Sequence, residues 1–595
     1  MAKPITGKIT TSEWRQKLKN GDIYVWQRQT TYIPETRRTK ELSRKLLGKI
    51  PAGSLDGKMV PTRPKRKPQP KADAPEAVSA AEPVAAAKPV GMADLLEWAG
   101  RESGVSEDLR ISTDEGTAQK IETIAWFWTA NPGAHLTQLE RWMSLRRTPY
   151  ASPISRECYH RLFKETGPDA DFMNRFFRAS AARTGPGSCL AVDSTTVSTY
   201  SRLNGRARQG FNKAGDGRDT VKVMTVFDVE ACRPIAFMQL PSTSSDVRDL
   251  ELALKQMQSL GVRQPRIVTD RGYYSQDNIA QMVRRSMKFL TAVPVRVSWV
   301  ASRLGEGKAR LRAAATACPW DFAVNGFTVP VTAGFTFERL RSSGGVPKGA
   351  AVTEEHRLYL HLFRDEDAAA DEGKEFKNDV LSLRNNVESG LCDPDDPDFK
   401  AAVDRYLSLS RAGRGGKLKV AVNEEAYAEE LDDLGYFALV SNKKEDCFEA
   451  LEVYRLRERI EEAFRDIKCN ADGRNTRVWD GENLKGRMFC QFVYLSLHCF
   501  LQGRIKRLKA ELKAAQSDGS LTEGEKKERK GLLAWLDGKS VADIIGWIDN
   551  IEIGEFVTAG RTIRQRYGDT KRDRLFFRLL GVPGYEEKPL AKVRA

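Results

Sequence analysis

The chain is poor in metal-binding nitrogen and sulfur. Its five histidines lack the H-E-x-x-H spacing of a zinc peptidase. Its nine cysteines (Cys158, Cys189, Cys232, Cys318, Cys392, Cys447, Cys469, Cys490 and Cys499) include no C-x-x-C pair. A zinc site and a disulfide framework are both unsupported, and reduced, mostly buried thiols are the simplest account. Long apolar runs are missing too. The richest, Phe489 to Leu501, is broken by Gln491 and His498 and is too short and polar to span a bilayer. The basic N-terminus has no apolar segment of the signal-peptide kind, so a cytoplasmic protein with no membrane partner is expected. A G-x-x-x-x-G-K-[ST] phosphate loop is absent: Gly538-Lys539-Ser540 has Leu533 where the upstream glycine would stand. No nucleotide cofactor is expected, and no sustained heptad marks an assembly contact.

What is present is charge. The 595 residues carry 96 Lys/Arg against 80 Asp/Glu, a net +16 with a pI near 9.3. That balance points to a polyanionic partner, most often nucleic acid. Residues 1–71 hold 18 of the basic residues and only 5 acids, which is most of the excess. The length demands several domains, and the composition of 41% hydrophobic and 30% charged residues is that of a globular protein.

Composition and periodicity divide the chain. Residues 1–67 read as a basic N-terminal DNA-binding module. It has a strand pair around Ile23-Tyr24-Val25-Trp26 and Tyr32, a cationic helix from Thr39 to Leu47, and Arg63, Lys65, Arg66 and Lys67 among prolines. Residues 68–90 are a Pro/Ala-rich linker. Residues 91–182 read as a helical DNA-binding region whose Trp98, Trp126, Phe127, Trp128, Trp142, Phe172, Phe176 and Phe177 are mostly core. Arg141, Arg146 and Arg147 there could face a phosphate backbone. From 183 to 295 the pattern turns to strands (Ser188–Val192, Lys222–Val229, Pro234–Leu240, Arg266–Thr269, Lys288–Val293) with helices at Val247–Leu260 and Ser275–Ser286, a mixed α/β sheet flanked by helices. Residues 296–435 read as an insertion with its own β-rich fold. Tyr436–Ser441 returns the chain to the main sheet, whose second part spans 436–513. Residues 514–595 read as a helical, basic C-terminal region for end binding or dimerisation, with Arg561, Arg564, Arg566, Lys571, Arg572 and Arg574.

One stretch organises the rest: Tyr454 to Lys468, YRLRERIEEAFRDIK. Wound at about 100° per residue, Tyr454, Arg457, Glu461 and Lys468 share a stripe only about 60° wide. Leu456, Ile460, Ala463, Phe464 and Ile467 form a contiguous apolar face beside it. Two apolar strands, moreover, each end in an aspartate. Asp193 leads into Ser194-Thr195-Thr196, and Asp270 into Arg271-Gly272-Tyr273-Tyr274. A carboxylate there sits on the rim of the sheet, where α/β sites are built. Taken singly, each also fits a helix cap or turn. With Glu461 they make three hard oxygen donors suited to Mg²⁺ or Mn²⁺.

The order strand–Asp, strand–Asp, helix–Glu resembles the bacterial insertion-sequence transposases of the DDE superfamily, whose catalytic domain is RNase H-like. More narrowly, Tyr454, Arg457, Glu461 and Lys468 match the Y-x-x-R-x-x-x-E-x-x-x-x-x-x-K signature without a gap. Asp270-Arg271-Gly272-Tyr273 resembles the D-x-G-[FY] box of that group, and Asp193-Ser194-Thr195 its first-aspartate box. The 191-residue interval from Asp270 to Glu461 matches the β-strand insertion the group carries there. The resemblance covers about 188–500. It implies that Asp193, Asp270 and Glu461 hold two divalent metals, Mg²⁺ with Mn²⁺ able to substitute. Water then frees a 3′-hydroxyl at the element's ends, and that hydroxyl attacks target DNA. Tyr454, Arg457, Lys468 and Arg465 would contact DNA, and Trp299 would be a counterpart of the aromatic that stacks on a flipped base. The partners implied are double-stranded DNA (the element's terminal inverted repeats and the target) and a second copy of the chain, in a homodimeric synapse. A nuclease of the same fold that only cuts, or a DNA-binding descendant without catalysis, would share most of these features.

Overall fold

The computed structural model describes residues 9–33, 38–54, 57–60, 88–201, 204–209, 217–338, 345, 347, 349–411, 418–471, 475–476, 480–558 and 561–585. They belong to two compact units, Met1–Glu82 and Pro83–Ala595.

The first unit is a three-stranded antiparallel sheet of β1 (Ile9–Lys17), β2 (Ile23–Ile33) and β3 (Arg38–Ile50), in that order. Trp14 lies opposite Trp26, and Trp26 opposite Leu46. The guanidiniums of Arg28 and Arg44 stand 5.9 and 5.2 Å from the Trp14 and Trp26 rings. The helix expected over Thr39–Leu47 is therefore a strand. Its leucines have no helical neighbour among the described residues, whereas β2 offers a free backbone edge and Trp26 to cover. Arg63, Lys65, Arg66, Lys67 and nearly all of the linker lie outside the described residues.

The second unit opens with a two-residue strand, β4 (Lys88–Pro89), then six helices: α1 (Gly91–Ser103), α2 (Val105–Ser112), α3 (Glu115–Ala130), α4 (Leu139–Ser144), α5 (Arg156–Thr166) and α6 (Ala170–Ala182). Asp114, Ser155 and Asp169 cap α3, α5 and α6 by accepting a first-turn N–H. All eight aromatics read as core are buried. Arg146 is half-buried and paired with Asp549 at 2.7 Å, whereas Arg147 remains exposed beside Asp94 and Glu97.

Next come β5 (Cys189–Thr199), β6 (Thr220–Asp228), β7 (Arg233–Pro241), α7 (Asp246–Ser259), β8 (Arg266–Thr269), α8 (Gln276–Arg284) and β9 (Lys288–Val293). Every strand and helix expected here forms, but the first strand does not stop at Val192. It runs on to Thr199 because β6 keeps pairing with it as far as Ser198.

Residues 296–435 contain α9 (Ser298–Leu311), β10 (Ala317–Cys318), β11 (Asp321–Glu338), β12 (Ala351–Asp365), α10 (Glu366–Glu388), α11 (Lys400–Tyr406), β13 (Leu407–Arg411), β14 (Leu418–Val422) and α12 (Glu424–Asp432). This segment does not form a sheet wholly its own. After β15 (Tyr436–Ser441) the main sheet runs β10-β11-β12-β15-β9-β8-β5-β6-β7. The buried end of β12 (Leu358, Leu360, Leu362, Phe363) satisfies the edge of β15 that would otherwise be open. Among the described residues of this segment, the β13–β14 hairpin alone stands apart, over a small core of Val387, Val403 and Leu407.

The remaining elements are α13 (Cys447–Arg455), α14 (Glu458–Asn470), β16 (Asn475–Thr476), α15 (Gly481–Ala514), α16 (Glu523–Leu536), α17 (Val541–Ile548), β17 (Glu552–Thr558), β18 (Arg561–Tyr567) and α18 (Lys571–Leu580). The apolar run Phe489–Leu501 is the buried middle of α15, a 34-residue helix packed by α1, α3, α5 and α16. No helix among the described residues is long and apolar enough to cross a membrane. None of the nine cysteines forms a disulfide among the described residues. The C-terminal region is not all helix, since β17 and β18 pair with each other and with β4. Its cations are partly structural: Arg566 lies over Tyr585, and Arg572 lies between Trp535 and Trp547.

Candidate active site

Parallel β5 and β8 are neighbours in the middle of the sheet, paired from Cys189–Arg266 to Val192–Thr269. The next residue on each is Asp193 and Asp270. At that point β8 ends and the chain turns into a 3₁₀ turn, Arg271–Tyr273. The exposed edge of β5 is taken up again only at Ser198, by β16. The two carboxylates thus flank an opening in the sheet. Each accepts the N–H of the following residue at 2.8 Å, Ser194 for Asp193 and Arg271 for Asp270, which fixes its rotamer.

The third carboxylate arrives on α14, which packs against β5. The apolar face read from the sequence holds: Ile460, Ala463 and Phe464 are buried, and Leu456 and Ile467 pack on the core. The expected single helix does not. It is broken into α13 and α14 at Leu456–Arg457, where the bonds shorten to the i→i+3 type: Arg457 N–H to the Tyr454 carbonyl and Ile460 N–H to the Arg457 carbonyl. Right-handed winding continues through the break, so the polar stripe keeps one direction.

That stripe meets the sheet. The Tyr454 hydroxyl donates to Asp270 Oδ1 at 3.0 Å. Arg457 bridges the other two acids, with Nη2 2.8 Å from Glu461 Oε1 and Nη1 3.6 Å from Asp193 Oδ2. Burial pushes the Tyr454 hydroxyl well above its usual range, with Asp270 adding to the shift, so it remains a donor. Burial opposes the charge on Arg457, yet Tyr454, Asp270, Asp193 and Glu461 outweigh it and hold the guanidinium protonated. Arg457 Nε is buried with no hydrogen-bond partner among the described residues.

Five of the eight expected residues therefore converge: Asp193, Asp270, Glu461, Tyr454 and Arg457. The other three stand further off. Arg465 and Lys468 lie about 6 and 10 Å beyond Glu461 along the α14 axis, Arg465 exposed and Lys468 half-buried. Trp299 donates its indole N–H to the Tyr274 hydroxyl at 3.2 Å, next to the loop that follows Asp270. It walls a cavity of about 230 Å³ with Tyr274, Phe335, Leu358 and Val440.

The donor set is chemically right for a hard divalent cation: carboxylates only, no imidazole or thiolate. Among the described residues no three His, Cys, Asp or Glu side chains gather closely enough to hold one ion. A hard divalent ion of this kind needs only one or two protein carboxylates and completes its shell with water and substrate oxygens.

Sequence reasoning missed a neighbouring group. Lys222 of β6 is buried and bonds Asp249 Oδ2 at 2.9 Å and Asp246 Oδ1 at 3.0 Å. Burial opposes its charge, and the bonds to Asp249 and Asp246 outweigh that and raise its pKa. A signal was available: a lysine inside a wholly buried apolar strand requires a carboxylate partner, and Asp246 and Asp249 sit at i, i+3.

No curated protein sequence matches the chain. Among solved structures, a cryo-EM structure of the piggyBac transposase synaptic complex with hairpin DNA aligns with 77% of this chain and 82% of its own, at 11% identity and a TM-score of 0.31. That likeness is too weak to carry an argument. The sequence profile of the transposase DDE domain matches residues 184–493, more than half the chain, including Asp193, Asp270 and Glu461. This chain belongs to the family of transposases built on the DDE domain.

Proposed function

We propose that the chain is the DNA transposase of an insertion sequence, in the bacterial group with the Y-R-E-K signature. In this reading it cuts the terminal inverted repeats of its element and joins the freed ends to target DNA. The observation that carries the reading is the convergence of Asp193, Asp270 and Glu461 around Tyr454 and Arg457.

In this reading Asp193, Asp270 and Glu461 hold Mg²⁺, or Mn²⁺ in its place, which supplies activation of the attacking oxygen and stabilisation of the leaving one. Tyr454 keeps Asp270 turned toward the opening. Arg457 offsets part of the acids' mutual repulsion, and its guanidinium beside Asp193 and Glu461 supports a contact with a phosphate oxygen there. Lys468 and Arg465 extend that contact along the strand backbone. Trp299, against a small aromatic-walled cavity, serves as a stacking surface for a displaced base. Hydrolysis adds water across a phosphodiester and leaves a 3′-hydroxyl and a 5′-phosphate. That hydroxyl then displaces a 3′-oxygen of target DNA, so one phosphodiester replaces another and no ATP is consumed. Both ends must be held at once, which calls for two copies of the chain.

The test is a labelled end-DNA duplex with a target plasmid and Mg²⁺. Cleavage and joined product are expected from the wild type, and neither from Glu461→Gln, which should still bind the DNA. Cutting without joining would favour a nuclease. An unaltered Glu461→Gln would end the catalytic reading.

A further inference from the structure

We propose that Asp246, anchored by Lys222, is a positioning residue for both strand-end aspartates and strengthens cation binding between them. The inference rests on the reading above, in which Asp193 and Asp270 are metal ligands.

The argument begins with charge. Lys222 faces Thr196 of β5 in the ladder, and its side chain is 9% exposed. Asp249 is wholly buried, and its carboxylate is itself bonded by the Ser244 hydroxyl. The Ser244 carbonyl also accepts from Lys222. The ammonium's three N–H groups go to Asp249, the Ser244 carbonyl and Asp246, but one carboxylate, Asp249, already balances its charge. Asp246 is therefore surplus in charge, though not in hydrogen bonding, and it adds one net negative charge.

Position gives that charge a use. Asp246 Oδ1 accepts from the Ser194 hydroxyl at 3.3 Å, one residue after Asp193. Its Oδ2 lies 3.0 Å from where a β-carbon on Gly272 would stand, two residues after Asp270. One carboxylate thus abuts both aspartate-bearing segments, and Lys222 keeps it from swinging away. This also explains the glycine in Asp270-Arg271-Gly272-Tyr273: any side chain there would press on Asp246.

The experiment measures Mn²⁺ binding to the full chain by electron paramagnetic resonance without DNA, beside the Mn²⁺ dependence of end cleavage. Asp246→Asn is expected to weaken Mn²⁺ binding about tenfold, as outer-shell changes do. Cleavage should recover at high Mn²⁺, and the melting temperature should hold. Asp249→Asn, a change to the buried ion pair, should lower the melting temperature without moving the Mn²⁺ midpoint. Gly272→Ala displaces the same carboxylate from the other side and should reproduce the weaker Mn²⁺ binding, so it serves if Asp246→Asn fails to fold. Unshifted Mn²⁺ midpoints in the folded variants overturn the proposal while leaving the transposase reading intact. A wild-type chain that neither binds Mn²⁺ nor cuts DNA overturns both.

Discussion

Arg457 is nine-tenths buried, with Asp193 and Glu461 within 4 Å and Tyr454 and Asp270 alongside. Three carboxylates drawn together in a partly dry setting repel one another, and a fixed cation and a hydroxyl donor offset that repulsion. A hydrogen bond to a charged group is worth about 1.5–3 kcal/mol. Tyr454→Phe removes one such bond from Asp270 and little else. Single-turnover cleavage is expected to slow by roughly 10- to 100-fold, with circular dichroism unchanged. Arg457→Ala should cost more, since two acids lose their shared counter-charge. Equal rates for Tyr454→Phe and wild type would show that Asp270 needs no help from the hydroxyl. At this scale the stripe of Tyr454, Arg457, Glu461 and Lys468 was legible, because helical winding alone aligns it. The bond from Tyr454 to Asp270 was not, because 184 residues separate the two and only the sheet brings them together.

Among the elements, β12 shows how far a strand's neighbours decide its properties. His361 lies opposite Leu439 of β15, fully buried, with Nδ1 2.9 Å from the Thr328 hydroxyl and Nε2 3.1 Å from that of Ser441. Burial, reinforced by the charge of Arg266, lowers its pKa to about 4. The folded state thus holds His361 neutral, whereas the unfolded chain takes up a proton below about 6.5. The sign follows: this contribution is complete above about pH 6.5 and is lost as pH falls toward 4. The loss is about 3 kcal/mol across that window. Denaturation midpoints between pH 7 and 4 should show it, and His361→Gln should flatten the slope. The strands from Cys189 to Val293 were legible because they are short apolar runs bounded by turn residues. The β3 strand was not, since leucines four apart fit a helix as well as a pleat, and only β2 and Trp26 settle the matter.

Over the whole molecule, charge is divided unevenly. Residues 1–82 carry 18 Lys/Arg and 8 Asp/Glu, which leaves 78 against 72 for the other 513 residues. The large core from Val90 to Tyr585 lies wholly in the second unit. A chain beginning at Pro83 is therefore expected to fold and to cut end DNA at low salt. It should bind DNA more weakly, with a salt dependence shallower by about 0.9 for every phosphate the first unit contacts. Identical log–log salt slopes for the two chains would mean that the basic unit is merely solvated.

By itself, the sequence determined the class of fold and the direction of the Glu461 stripe. Those depend on local periodicity, which is written in one dimension, whereas the choice of Asp193, Asp270 and Glu461 from 80 acids came with the family resemblance. The tertiary structure alone decided the rest. It joined β10–β12 to the main sheet, folded Arg561–Tyr567 as a strand, consumed Arg146, Arg566 and Arg572 in internal contacts, and set Asp246 against both aspartate segments. Each of these is a choice of partner across long stretches of chain. Backbone edges and buried charges must be satisfied by whatever packing brings near, and neither propensity nor spacing names that partner.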